Sequence, residues 1–89
     1  MEYKEAAVAQ AKSMFCDTLR YYGTTNDGTE YYRAYIKRLA GHYLGLPKVF
    51  TVKDNIVSKP EGFSDVNKLL DKIASLKDNS NPPQEFNIE

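Results

Sequence analysis

Apolar positions along the chain fall into three runs with helical spacing. In residues 3–22, Val8, Ala11, Phe15, Leu19 and Tyr22 recur at intervals of three and four, with Met14 widening the stripe. Ala6, Ala7 and Ala9 add helix propensity, and Gly23 stands where a left-handed residue would end the helix. The second run begins near Asp27 or Gly28, where Asp27 and Glu30 have the spacing of a capping box. Tyr32, Tyr35 or Ile36, Leu39 and Tyr43 would form its buried seam, with Arg33, Lys37 and Arg38 on or near the opposite face. Gly45 and Pro47 then stop it. The third run joins Phe63, Val66, Leu69, Leu70, Ile73 and Leu76. It starts at Pro60, which suits a first turn, or at Ser64 as an N-cap, and the polar run 78–83 ends it.

Between the second and third runs the pattern is irregular. Leu46, Val49, Phe50, Val52, Ile56 and Val57 are apolar without a clean period of 2 or 3.6. Val49, Phe50, Thr51 and Val52 favour a strand. A lone strand has no ladder partner among helices, so residues 46–59 are expected as a short helix or an extended segment. The fold class expected is therefore all-α, a small three- or four-helix bundle. Residues 1–78 would form one helical domain, and residues 79–89 a tail that is flexible or docks through Phe86 and Ile88.

Composition removes several classes of chemistry. A chain of 89 residues makes one domain with a marginal core. Cys16 is the sole cysteine, so neither an internal disulfide nor a cysteine-rich zinc site is available. His42 is the sole histidine, with no carboxylate one turn away, and Cys16 beside an apolar stripe reads as a small core residue rather than a nucleophile. The chain lacks a glycine-rich phosphate loop. The expectation is a protein that is not an enzyme and that needs no cofactor and no metal. The polar start, the single cysteine and the want of an apolar run near ~20 residues suggest a cytoplasmic protein with no membrane contact.

Six of the seven tyrosines lie between residues 21 and 43, with Tyr21-Tyr22 and Tyr31-Tyr32 flanking a polar turn. In a helix, neighbours sit about 100° apart, so each pair can bury one member only against a given neighbour. Tyr22, Tyr32, Tyr35 and Tyr43 would serve the core, leaving Tyr21 and Tyr31 for a partner. Tyrosine supplies large, stiff contact area at interfaces. Formal charge is zero, but residues 29–59 carry six basic and two acidic groups, whereas residues 60–89 carry three and six. The acidic last third can pack near the basic middle, or the middle can meet an acidic partner. The candidate partner-binding residues are Tyr21, Tyr31, Arg33 and Lys37, in a protein-binding module or a homodimer. A second possibility is a nucleic-acid-binding regulator. Leu39-Ala40, Leu44-Gly45-Leu46, Thr51-Val52-Lys53 and Ile56 follow the order of a degenerate helix-turn-helix, with Lys48, Lys53, Arg33 and Lys37 as phosphate contacts.

Met1-Glu2-Tyr3-Lys4, Asp54-Asn55 followed by Pro60-Glu61-Gly62, and the Pro82, Pro83, Phe86 ending together resemble the small immunity proteins of nuclease colicins and pyocins. The resemblance implies a distorted four-helix bundle and a small inhibitor that occludes a protein partner. Where that family presents two adjacent tyrosines before the Asp-Asn pair, this chain carries Thr51 and Val52. Where the family's second helix is acidic, residues 29–44 here are basic.

Overall fold

Strand, not helix, carries Tyr21, Tyr22, Tyr31, Tyr32 and Tyr35. The computed structural model describes residues 5–37, 48–76 and 84–88. Their order is α1 (Glu5–Ser13), β1 (Thr18–Thr24), β2 (Glu30–Tyr35), β3 (Val49–Lys53), β4 (Ile56–Ser58), α2 (Phe63–Leu76) and β5 (Gln84–Asn87). The strands form one sheet in the order β4-β3-β2-β1-β5, with every neighbouring pair antiparallel. The expected all-α helical bundle is thus overturned. Among the described residues the fold is mixed α/β, a five-stranded antiparallel sheet with two helices.

Two turns explain why the chain doubles back where a helix was expected. Asn26-Asp27-Gly28 closes the β1–β2 hairpin, with Thr25 and Thr29 joined by a 2.9 Å backbone bond and Gly28 at φ +88°. Asp27 does not cap a helix. Its carboxylate accepts hydrogen bonds from the Thr25 hydroxyl and from the amide and hydroxyl of Thr29, which ties the loop into a compact turn. Asp54 and Asn55 both take positive φ, 52° and 64°, as a two-residue primed hairpin turn between β3 and β4 requires. That hairpin supplies the ladder partner that Val49–Lys53 needed, so the segment is strand rather than short helix.

Helix α1 stops nine residues earlier than the first apolar run. Cys16 N–H bonds to Ala11 O at 3.1 Å and Phe15 N–H to Lys12 O at 3.0 Å, the pattern of a Schellman C-cap. Phe15 holds its left-handed position at φ 60°, where glycine is usual. The next residues, Thr18-Leu19-Arg20-Tyr21-Tyr22, are β-branched and aromatic in the main and pair as a strand. In the second run, Glu30–Tyr35 is likewise strand; Leu39, Tyr43, Gly45 and Pro47 lie outside the described residues. The third run is helical, as its spacing indicates. Its first residue is Phe63, so neither Pro60 nor Ser64 occupies the expected start, and Phe63 itself is 69% exposed rather than buried.

Alternation along the strands sends side chains to two cores. On one face Leu19, Tyr21, Tyr32, Ala34, Phe50, Val52, Phe86 and Ile88 meet α1. Ala7 and Ala11 are fully buried there, and their small side chains let α1 lie close to the sheet. Tyr32 stacks on Phe50 at 5.6 Å between ring centroids and tilts against Tyr21 at 5.4 Å. On the other face Tyr22, Tyr31 and Val49 meet Val66, Leu69, Leu70 and Ile73 of α2. A bulge in β1 separates the pairs Tyr21–Tyr32 and Gly23–Tyr31, with Gly23 at φ +146°. It turns Tyr22 toward α2 beside Tyr31.

Two stability outcomes follow from this packing. Phe50→Ala should lose about 3–5 kcal/mol, because the ring is fully buried against Tyr32. Phe15→Gly should gain ~0.5–1 kcal/mol, because the phenyl is 89% exposed and glycine relieves the left-handed backbone. Urea melts of both variants check this; a destabilised Phe15→Gly would mean that the phenyl packs in solution.

Candidate functional site

Among the described residues, helix α2 covers only part of its face of the sheet, at Tyr22, Tyr31 and Val49. Beyond it, alternation places Arg20 of β1, Arg33 and Tyr35 of β2 and Glu85 of β5 on the same side. Arg20 lies directly opposite Arg33 across the β1–β2 pair and directly opposite Glu85 across the β1–β5 pair. Like charges facing each other across a ladder repel, so the Arg20–Arg33 pair opposes folding.

Glu85 and Tyr35 hold this cluster together. Arg20 Nη2 donates to Glu85 Oε2 at 3.0 Å. The Tyr35 hydroxyl donates to the same oxygen and Lys37 Nζ to Oε1. Both guanidinium carbons, of Arg20 and of Arg33, stand 5.8 Å from the centre of the Tyr35 ring, within reach of its π-face charge. Arg33 is exposed and has no ion pair among the described residues. Arg20 Nε is shielded from solvent and lacks a hydrogen-bond partner among them. Three cations therefore face one carboxylate, and two arginine groups retain unused donors. At the rim, Asp17 accepts the Lys37 backbone N–H at 2.9 Å and the Thr18 hydroxyl at 2.9 Å.

The cluster sets the acidity of its own members. Hydrogen bonds from Lys37 first, and then from Tyr35, lower the Glu85 carboxyl from 4.5 to about 2. Burial first, and then the bond to Glu85, raises the Tyr35 hydroxyl from 10.0 to about 12. The Tyr35 proton therefore stays on its oxygen at neutral pH and remains a donor to the carboxylate.

The residues singled out in the sequence are distributed unevenly. Arg33 and Lys37 come together at this cluster. Tyr21 is half-buried against Tyr32 on the α1 face, and Tyr31 is half-buried on the α2 face beside Tyr22. Each adjacent tyrosine pair divides between two sides, but α1 lies over Tyr21 and Tyr32 and α2 over Tyr22 and Tyr31. Lys48 and Lys53 lie at opposite ends of β3. Lys48 Nζ donates to Met14 O at 3.3 Å, and Lys53 Nζ pairs with Asp27 at 3.6 Å beside the β1–β2 turn. They do not join one basic track. Arg20, Tyr35 and Glu85 were missed. For Arg20 and Tyr35 the signal is the period of two in Arg20-Tyr22 and Tyr31-Arg33-Tyr35, which a helical reading hides; Glu85 joins them only through the pairing of β5 with β1. Cys16 is buried, and desolvation raises its thiol, which leaves it a poor nucleophile; His42 lies outside the described residues.

No protein-family model matches the chain, and neither does any curated protein or solved structure. Among the described residues no helix is long and apolar enough to cross a membrane.

The depressed Glu85 carboxyl gives a pH signature. Its folded value lies below its ordinary one, so its stabilising contribution is complete above about 4.5 and is lost as pH falls through about 2. At neutral pH Glu85→Gln should melt below the wild-type protein. The gap should close between pH 4.5 and 2, where the wild-type carboxyl takes up its proton. Equal melting temperatures at neutral pH would show that Glu85 contributes nothing to holding β5.

Proposed function

We propose that the protein is a small, non-enzymatic binding module that holds an acidic segment of a protein partner on the Arg20–Arg33–Tyr35–Lys37 surface. The observation that carries this reading is the pair of arginines facing each other across β1 and β2, one of them without a carboxylate partner among the described residues. A like-charge pair of this kind opposes folding. An anion brought by a partner removes the repulsion, so the pair favours the bound state. Arginine and tyrosine are also the side chains in which interface energy concentrates.

An acidic protein segment fits better than duplex nucleic acid. Glu85 in the middle of the cluster and Asp17 at its rim interrupt the positive surface, which suits one local anionic group better than a continuous phosphate backbone. Lys48 and Lys53 do not extend the cluster along one line, and the formal charge of the chain is zero. Duplex affinity depends on many phosphates being neutralised together. The binding surface proposed is the open part of the sheet rather than a helical tyrosine patch. An immunity-type, partner-occluding role would use this same surface.

Fluorescence anisotropy against a labelled oligoglutamate peptide, an oligolysine peptide and a short DNA duplex tests the reading. The protein should bind oligoglutamate in preference to the other two, and more weakly as salt rises toward a Debye length of about 8 Å. Arg33→Glu should weaken oligoglutamate binding by ~5- to 10-fold, or about 1–1.4 kcal/mol, without lowering the melting temperature. Preferential, salt-steep duplex binding would replace the acidic-partner reading with the nucleic-acid one. Binding unaffected by Arg33→Glu would remove this surface from consideration.

A further inference from the structure

Glu85 fills only part of the hydrogen-bonding capacity that surrounds it. Its Oε2 takes Arg20 Nη2 and the Tyr35 hydroxyl, and its Oε1 takes Lys37 Nζ. Arg20 Nε and the guanidinium of Arg33 have no such acceptor among the described residues. The cluster carries three positive charges against the single charge of Glu85, and Asp17 at the rim lowers the surplus from two to no less than one. A partner carboxylate offers two oxygens and one negative charge. A phosphate monoester offers three terminal oxygens and about −1.5 to −2 charge at neutral pH. Its tetrahedral oxygens suit two guanidinium forks arriving from neighbouring strands, since arginine binds such groups through paired N–H donors.

Placement supports the same chemistry. Arg20 and Arg33 are direct cross-strand partners, so their Cβ atoms lie about 4.5–5.5 Å apart and both heads reach one small group. Tyr35 packs near both guanidinium groups and restricts the directions in which they point. Lys37 adds an ammonium just beyond the end of β2, and its side chain is 62% exposed.

We infer that the Arg20–Arg33–Lys37 cluster is a binding site for a phosphate monoester carried on an acidic protein segment. In the free protein the Glu85 carboxylate takes part of the place that the phosphoryl oxygens occupy on binding. The inference rests on the acidic-partner reading and narrows it to a phosphorylated partner. Binding involves no covalent step. The incoming phosphoryl group takes the exposed donors of Arg33 and competes with Glu85 for Lys37 and for Arg20 Nη2.

The test compares three probes by amide chemical-shift titration of the intact protein. They are inorganic phosphate, a glutamate-rich peptide with one central phosphotyrosine, and the same peptide unphosphorylated. The phosphopeptide should bind about tenfold more tightly than its unphosphorylated twin, with the largest shifts at Arg20, Arg33, Tyr35 and Lys37. Arg33→Gln should erase that difference. Glu85→Gln, which removes the internal competitor, should strengthen phosphopeptide binding several-fold. Because Glu85→Gln also loosens β5, Arg33→Gln is the decisive variant; its side chain holds no ion pair among the described residues. If both peptides bind equally well, the phosphate inference is wrong while the acidic-partner reading stands. If neither peptide binds, both are wrong. If inorganic phosphate binds as tightly as the phosphopeptide, the site takes a free anion and the peptide-borne source is wrong.

Discussion

Strand β1 is the constraint on which the rest of the structure depends. It joins a local neighbour, β2, reached by a hairpin, to a remote one, β5, at the other end of the described residues. Its side chains serve both faces. Leu19 and Tyr21 build the core under α1, while Arg20 and Tyr22 face the side of α2. A slip of one residue in a strand exchanges its faces. In β1 it would bring a charged arginine into the α1 core and push the fully buried Leu19 out of it. The bulge at Tyr22 and Gly23 confines its change of register to the end near the hairpin, leaving Arg20 aligned with both Arg33 and Glu85.

The C-terminal strand is fixed to β1 from both faces. Phe86 and Ile88 enter the α1 core, Ile88 N–H bonds to Asp17 O at 3.0 Å, and Glu85 gathers Arg20, Tyr35 and Lys37 on the opposite side. Packing on one face thus positions a charged group on the other. This is how a short chain with a small core aligns three cations on one patch. Buried apolar contacts supply the stability, and the exposed ion pairs mainly supply position, since such pairs contribute little free energy in water.

Part of this was legible in the sequence. The third apolar run reads as a helix because Val66, Leu69, Leu70, Ile73 and Leu76 fit no other period. The first two runs were ambiguous. Phe15, Leu19 and Tyr22 share a helical stripe, yet Phe15 is exposed, Leu19 faces α1 and Tyr22 faces α2. The better signal lay in the turns. Asp27-Gly28 between two tyrosine-rich segments, and Asp54-Asn55 between Val49–Lys53 and Ile56–Ser58, are hairpin sequences. Taking Asp27 as a helix cap concealed the first hairpin, and without it β3 had no partner. Arg33 and Lys37 were visible as candidates because local charge survives an error of secondary structure. Arg20, Tyr35 and Glu85 were not, because they meet only once β1, β2 and β5 are aligned.

The central claim is that Arg33 opposes folding and remains in the chain for what it binds. Sites that act on partners often hold groups that the free fold would do better without. The most direct measurement is the melting temperature of Arg33→Gln beside the wild-type protein at low ionic strength and again at about 1 M salt, where the Debye length falls to ~3 Å. The account predicts that the variant melts higher than the wild-type protein at low salt and that added salt closes the gap, because the Arg20–Arg33 repulsion is screened. A variant that melts lower at both salt concentrations would show Arg33 to be a structural support and would contradict the account.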